Sequence, residues 1–150
     1  MEKRYDFQKH EKETQEFWER EGIYRFSPDA PGRVYSIDTP PPTVSGSLHI
    51  GHLFSYAQAE MIARFHRMQG ENVYYPFGFD DNGLPTERLV EREKKLRARD
   101  LPHADFTELC RETASRYEAD FRQLFQSLGF SVDWDLQYET ASPETQRLSQ

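Results

Sequence analysis

The sequence predicts an α/β fold organised around a parallel βαβ unit. Three observations predict it: two short β-favouring runs at residues 33–39 and 72–75, a long stretch of helical apolar period between them, and proline or glycine at the boundaries. Two sheet strands joined through one helix run parallel, with a right-handed crossover.

Each element has a local reason. Residues 6–21 read as a helix, with Phe7, Thr14, Phe17 and Trp18 on one stripe and Gly22 as its stop. Ser27-Pro28-Asp29-Ala30-Pro31-Gly32 is a loop. The strand at 33–39 carries Val34, Tyr35 and Ile37, and Pro40-Pro41-Pro42 ends it because no proline donates to a ladder. Over residues 47–69 the apolar positions are Ile50, Leu53, Phe54, Ala57, Met61, Ile62, Phe65 and Met68, which is a helical period closed by Gly70.

The second strand, 72–75, is closed by Pro76, and 77–83 reads as a loop. A charged helix is expected over 84–99, with Glu91 and Glu93 each four residues ahead of a cation, Lys95 and Arg97. Pro102 breaks it. Asp105 with Glu108 resembles a capping box for a long helix whose stripe is Phe106, Leu109, Cys110, Thr113, Tyr117, Phe121, Leu124, Phe125 and Leu128, ending at Gly129. A last helix starts near Pro143 and is still running at Gln150, which reads as truncation. The chain divides into a helix with its lead-in loop, 1–32, and the α/β segment, 33–150.

Composition narrows the function. Of 150 residues, 36% are hydrophobic and 30% charged, with a mean hydropathy of −0.90. That is polar for a self-sufficient globule and reads as a segment that further chain would cover. A net charge of −7 supplies no basic footprint for nucleic acid, so any main RNA surface is expected elsewhere. One cysteine, Cys110, excludes an intramolecular disulfide and a zinc set; on an apolar stripe it is a core thiol, not a nucleophile. No apolar run has membrane-spanning length, and the start at Met1 lacks a signal peptide's apolar region. The chain reads as soluble and cytoplasmic, without membrane contact.

Connectivity locates a site. Parallel strands direct their carboxyl ends the same way, so the loops after 33–39 and after 72–75 share one edge, where open α/β sheets bind ligands. The helix between them starts near Ser47 and brings unpaired N–H groups and a positive dipole end to that edge, which suits an anion. His49 and His52, at i and i+3, can donate to phosphate oxygens, and each hydrogen bond to a charged group contributes about 1.5–3 kcal/mol. Gly51 has no side chain, so a flat ring or ribose can approach the backbone. Asp80 offers a carboxylate to an α-ammonium group. Pro40 and Pro41 add rigid apolar surface and carbonyls that no helix or ladder uses. The pair of histidines has no third ligand at metal-site spacing, so no protein-bound metal is expected.

These residues carry a resemblance. Pro40-Pro41-Pro42-Thr43-Val44-Ser45-Gly46-Ser47-Leu48-His49-Ile50-Gly51-His52, followed by Asp80-Asp81-Asn82-Gly83-Leu84-Pro85-Thr86-Glu87-Arg88, resembles the N-terminal catalytic segment of the valyl-tRNA synthetases, class I, subclass a. Phe17-Trp18-Glu19, Gly22-Ile23-Tyr24 and residues 138–150 extend the likeness over essentially the whole chain. The triple proline and the second run favour valine over the related isoleucine and leucine enzymes.

The resemblance implies the first half of a Rossmann-type nucleotide-binding domain bearing the His-Ile-Gly-His signature, cut before the editing insertion. It implies ATP, accompanied by Mg2+, activating valine to valyl-adenylate, and transfer to the 2′-hydroxyl of the terminal tRNA adenosine. His49 and His52 would be catalytic; Thr43, Ser47, His49, Gly51 and His52 would bind ATP; Pro40, Pro41 and Asp80 would bind the amino acid. The main tRNA contacts and the remainder of the enzyme, packed on this segment, would lie outside it. An apolar valine pocket cannot strongly reject threonine, which is why such enzymes edit; this family is itself the known case of that limit. Thr43 stands where asparagine is common and Phe79 where tryptophan is. No Lys-Met-Ser-Lys-Ser-type signature occurs, so the chain alone is expected to be a weak or inactive half-site. Three rival readings are an isoleucine-specific relative, a nucleotidyltransferase acting on another substrate, and a non-catalytic nucleotide-binding module.

Overall fold

A computed structural model of the chain describes residues 5–150; the first four residues of the expected 1–32 unit lie outside the described residues. Five α-helices and four short strands follow in the order α1 (Phe7–Glu21), β1 (Val34–Ser36), α2 (Ile50–Met68), β2 (Asn72–Tyr74), β3 (Phe77–Phe79), α3 (Leu84–Lys94), α4 (His103–Ser127), β4 (Gln137–Glu139) and α5 (Pro143–Ser149). The expected parallel βαβ unit is present: β1 pairs with β2 in parallel, Tyr35 opposite Val73. Ile37 N–H donates to Tyr74 O at 2.9 Å, so pairing continues past the strand.

The run read as a loop after Pro76 is strand. β3 pairs in parallel with β4, Gly78 opposite Tyr138, and Asp80 forms a parallel bridge with Thr43. Pro76 removes one donor but does not end the ladder, because Tyr75 O still accepts from Asp133 N–H at 3.0 Å. Gly78 admits its neighbour: a Cβ there would lie 2.1 Å from Tyr138 Cζ. Gly78→Ala is therefore expected to expel the Tyr138 ring and cost about 1–3 kcal/mol; an unchanged thermal midpoint would show that the ring was not seated there.

Several helix ends depart from expectation for identifiable reasons. Asp6 caps α1 by accepting from Lys9 N–H, and Gly22 closes it in the left-handed region at φ 60°. No α1 residue is buried, so the Phe7 and Phe17 stripe is not a core face. Trp18 anchors it, edge-on to Tyr24 with ring centroids 5.4 Å apart and under the Arg64 guanidinium at 5.5 Å. α3 stops at Lys94 because Lys95 turns left-handed, φ 54°. The two expected i,i+4 pairs are consequently replaced: Arg97 meets Glu91 at 4.0 Å and Glu93 instead meets Arg116. α4 begins at His103 behind Pro102 with no side-chain cap, so the Asp105 and Glu108 capping box is absent and Glu108 pairs with Arg111.

The core is an aromatic cluster between strands and helices. Phe77, Phe79, Tyr75 and Phe125 are fully buried, and Phe77 meets Tyr56, Phe79, Phe125 and Trp134 with centroids 4.8–5.5 Å apart. Tyr56 and Ala63 bring α2 to this cluster, Phe121 and Phe125 bring α4. The opposite side of α2 is bare: Ile50, Phe54, Met61, Phe65 and Met68 form an exposed apolar stripe, with Ile50 80% accessible.

A polar lattice ties α2 to the segment after α4. The buried Glu60 carboxylate accepts from Arg64 Nε at 2.6 Å and from Ser131 N–H at 2.9 Å. Arg67 Nη2 donates to Ser131 O at 2.6 Å. Paired charges of this kind tolerate burial, whereas removing one partner strands the other.

Candidate functional site

The two motif loops are stitched together by main-chain hydrogen bonds. Asp80 N–H donates to Pro42 O at 3.0 Å and Val44 N–H donates to Asp80 O at 2.8 Å. The proline run thereby meets the Asp80 loop, but Asp80 follows β3, which pairs with β4 in a sheet separate from β1 and β2, and not the end of β2 from which connectivity placed it. Of the two carbonyls expected to be free, at Pro40 and Pro41, the first is occupied, since Pro40 O takes the Tyr56 hydroxyl. Burial, with Tyr138 nearby, pushes Tyr56 up to about 12, which keeps it a donor.

The Asp80 carboxylate is held by two hydroxyls. Thr43 Oγ1 donates to Oδ2 at 2.9 Å, and Thr140 Oγ1 lies 3.4 Å from Oδ1. Thr43, grouped with the ATP contacts on sequence grounds, is therefore directed to the carboxylate. Asp81 turns the other way: its Oδ1 accepts from Thr140 Oγ1 and Ala141 N–H, both at 2.9 Å. Pro40 is exposed and Pro41 half-buried beside this junction. Ser47 is exposed in the turn before α2.

His49 is not in the first helical turn but is the N-cap of α2. Its side chain accepts from Gly51 N–H at 3.1 Å, and His49 N–H donates to His52 Nδ1 at 3.3 Å. The two imidazoles thereby form a reciprocal capping box, with ring centroids 4.0 Å apart. Each Nδ1 accepts from backbone, so in the neutral ring the proton sits on Nε2. Both rings therefore keep an Nε2–H donor free at the positive end of the helix. Burial, then the neighbouring His49, lower the His52 pKa, which favours that neutral donor form. The His49 ring also explains Gly51, where a Cβ would lie 3.0 Å from His49 Cε1.

Sequence reasoning missed Thr140 and Glu118. Thr140 follows β4, a strand whose partner lies roughly sixty positions earlier, so no local signal marks it. Glu118 occupies a helix face whose neighbours are apolar, and it is buried among the described residues of α4. Cys110 is half-buried, and burial with Glu87 nearby raises its thiol pKa, consistent with an inert thiol. Among the described residues no group of three or more His, Cys, Asp or Glu side chains is placed to hold a metal ion.

The model of the family "tRNA synthetases class I (I, L, M and V)" matches residues 13–149. The chain is 50% identical over 149 residues to the valine–tRNA ligase of Rickettsia rickettsii (strain Sheila Smith), covering 99% of this chain and 18% of that protein. It is 51% identical over 147 residues to the valine–tRNA ligase of Ehrlichia ruminantium (strain Welgevonden), covering 98% of this chain and 18% of that one. Among solved structures, a LeuRS–tRNA–LeuAMS ternary complex from Agrobacterium radiobacter K84 superposes with a TM-score of 0.76 at 25% identity, over 95% of this chain and 17% of that chain. The chain thus spans about a fifth of the length of the proteins it matches.

Proposed function

The chain belongs to the class I tRNA synthetases (I, L, M and V), and from that premise we propose that its complete gene product is a valine–tRNA ligase. In this reading residues 33–150 are the N-terminal half of the catalytic domain and 1–32 its leading helix and loop. The observation that supports it most is the junction of Asp80 with Pro42 and Val44, which brings a carboxylate beside the proline run that Tyr56 of α2 also contacts.

The proposed chemistry follows from the groups present. Asp80, oriented by the Thr43 hydroxyl at 2.9 Å, holds the α-ammonium of valine, and Pro40 and Pro41 bound the space for its side chain. The valine carboxylate attacks the α-phosphorus of ATP; the new C–O–P linkage forms as the bond to pyrophosphate breaks. His49 and His52 aim Nε2–H donors at phosphate oxygens as charge builds on them, and Ser47 and Gly51 line the nucleotide side. Mg2+ travels with the ATP phosphates. The adenylate's acyl group then passes to the 2′-hydroxyl of the terminal tRNA adenosine, and AMP leaves. The exposed stripe of Ile50, Phe54, Met61, Phe65 and Met68 is the face on which we place the rest of the enzyme. We assign the enzyme to the cytoplasm.

Valine-dependent ATP–pyrophosphate exchange by the complete gene product tests the reading. Exchange driven by isoleucine in preference to valine would reassign the substrate, and nucleotide binding with no exchange for any amino acid would leave a non-catalytic module. Within that assay, Asp80→Ala is expected to raise the valine KM at least tenfold, because losing a charge-assisted contact costs about 1.5–3 kcal/mol. The ATP KM should stay within about twofold. A valine KM untouched by the change would remove Asp80 from the site.

A further inference from the structure

Behind the Asp80 loop sits a carboxyl group that the proposed reaction does not use. Glu118 on α4 is only 9% exposed, and its Oε1 has no hydrogen-bond partner. The groups facing it are acidic: Asp81 from the loop and Glu139 from β4. The cations and acids nearby are engaged elsewhere. Arg122, one turn along α4, donates to Gln137 Oε1 at 3.3 Å, and Glu139 Oε1 accepts from Gln137 Nε2 at 2.9 Å. From α3, Glu93 is tied to Arg116 and Tyr117, and Glu87 acts on Cys110.

We propose that Glu118 is a positioning residue for the amino-acid anchor: its carboxyl fixes Asp81 and, through the Thr140 hydroxyl, the orientation of the Asp80 carboxylate. The proposal rests on the reading of Asp80 as the amine anchor. A buried carboxyl group facing a carboxylate favours its neutral form, and a neutral Glu118 has a proton to offer the half-buried Asp81. Asp81 Oδ1 in turn accepts from Thr140 Oγ1 at 2.9 Å, and the same hydroxyl lies 3.4 Å from Asp80 Oδ1. One hydroxyl proton serves two acceptors. A proton supplied to Asp81 from Glu118 lessens the demand on Thr140 and leaves that hydroxyl for Asp80.

Burial first, then Asp81 and Glu139, raise the Glu118 pKa to about 7. Its proton is thus present on the acid side of neutrality and lost on the alkaline side. Loss sets a second negative charge against Asp81, displaces the turn at Thr140 and Ala141, and loosens the aim of Asp80.

The test is the pH dependence of valine-dependent ATP–pyrophosphate exchange by the complete gene product between pH 6 and 8.5. The valine KM of the unaltered protein should rise about five- to tenfold through neutrality, while the ATP KM moves less than about twofold. Glu118→Gln, a neutral donor at every pH, should hold the valine KM flat across the range. Thr140→Val, which breaks the relay without touching Glu118, should raise the valine KM already at pH 6 and abolish the slope. A flat profile in the unaltered protein, or an unchanged slope in either variant, overturns the proposal. No exchange with valine at any pH would overturn the anchor reading itself, and this inference with it.

Discussion

Replacing His52 with alanine in the complete gene product is expected to slow valine-dependent adenylate formation by roughly 10²–10³. The magnitude is that of one preorganised donor lost from where negative charge develops. His52 qualifies because its Nδ1 already accepts from His49 N–H at 3.3 Å, which leaves Nε2–H as the outward donor. The valine KM should change by less than about threefold, since the proposed function gives the amine to Asp80 and not to the imidazole. A complication is that His52 also closes the capping box, and losing a cap costs about 1 kcal/mol. His52→Gln separates the two roles, because glutamine at the third helical position restores the cap. Its thermal midpoint should return toward that of the unaltered protein while exchange stays slow. Recovery of exchange with the cap would reduce His52 to a structural residue, and equal losses in rate and valine affinity would contradict the assignment.

The largest stability effect is expected at Phe77. Truncation to alanine should destabilise the chain by about 3–5 kcal/mol, the usual range for a buried aromatic. The upper half is favoured because Phe77 is fully buried and shares ring contacts with four aromatic neighbours. Urea unfolding followed by far-UV circular dichroism measures it. With slopes of about 1–3 kcal/mol/M for small domains, the midpoint should fall by more than about 1 M. Phe77→Leu, which keeps most of the volume, should cost under half as much. A loss below about 1 kcal/mol for alanine would show that the aromatic cluster does not carry the fold.

The elements that sequence reveals here are those specified by neighbours in the chain. α2 is legible because its period runs unbroken for about five turns, and α1 because Asp6 and Gly22 mark both ends. β3 and β4 are not, since three residues are too few for a period and their pairing is written in neither segment alone. Phe77-Gly78-Phe79 after a proline looks like a turn until β4 lies beside it. α3 is shorter than its charge pattern suggests because nothing about Lys95 announces a left-handed residue. The site shows the same division. His49, His52, Pro40, Pro41 and Asp80 can be nominated from motif spacing, but the hydroxyls aimed at Asp80 cannot. Thr43 needs the bridge to Asp80, and Thr140 needs β4. Glu118 hides because a glutamate on an amphipathic helix is ordinarily solvated.

The bare side of α2 bears on how such a protein is made. In a gene product of its relatives' length, with this segment at the N-terminal end as proposed, it would wait tens of seconds at about 5–20 residues per second for whatever will cover Ile50, Phe54 and Met61. Over that interval the helix that carries the histidines presents an exposed apolar stripe, a natural target for a holding chaperone. Ribosome-bound chains arrested at residue 150 should crosslink to such a chaperone through Phe54, and charged replacements along the stripe should abolish the crosslink.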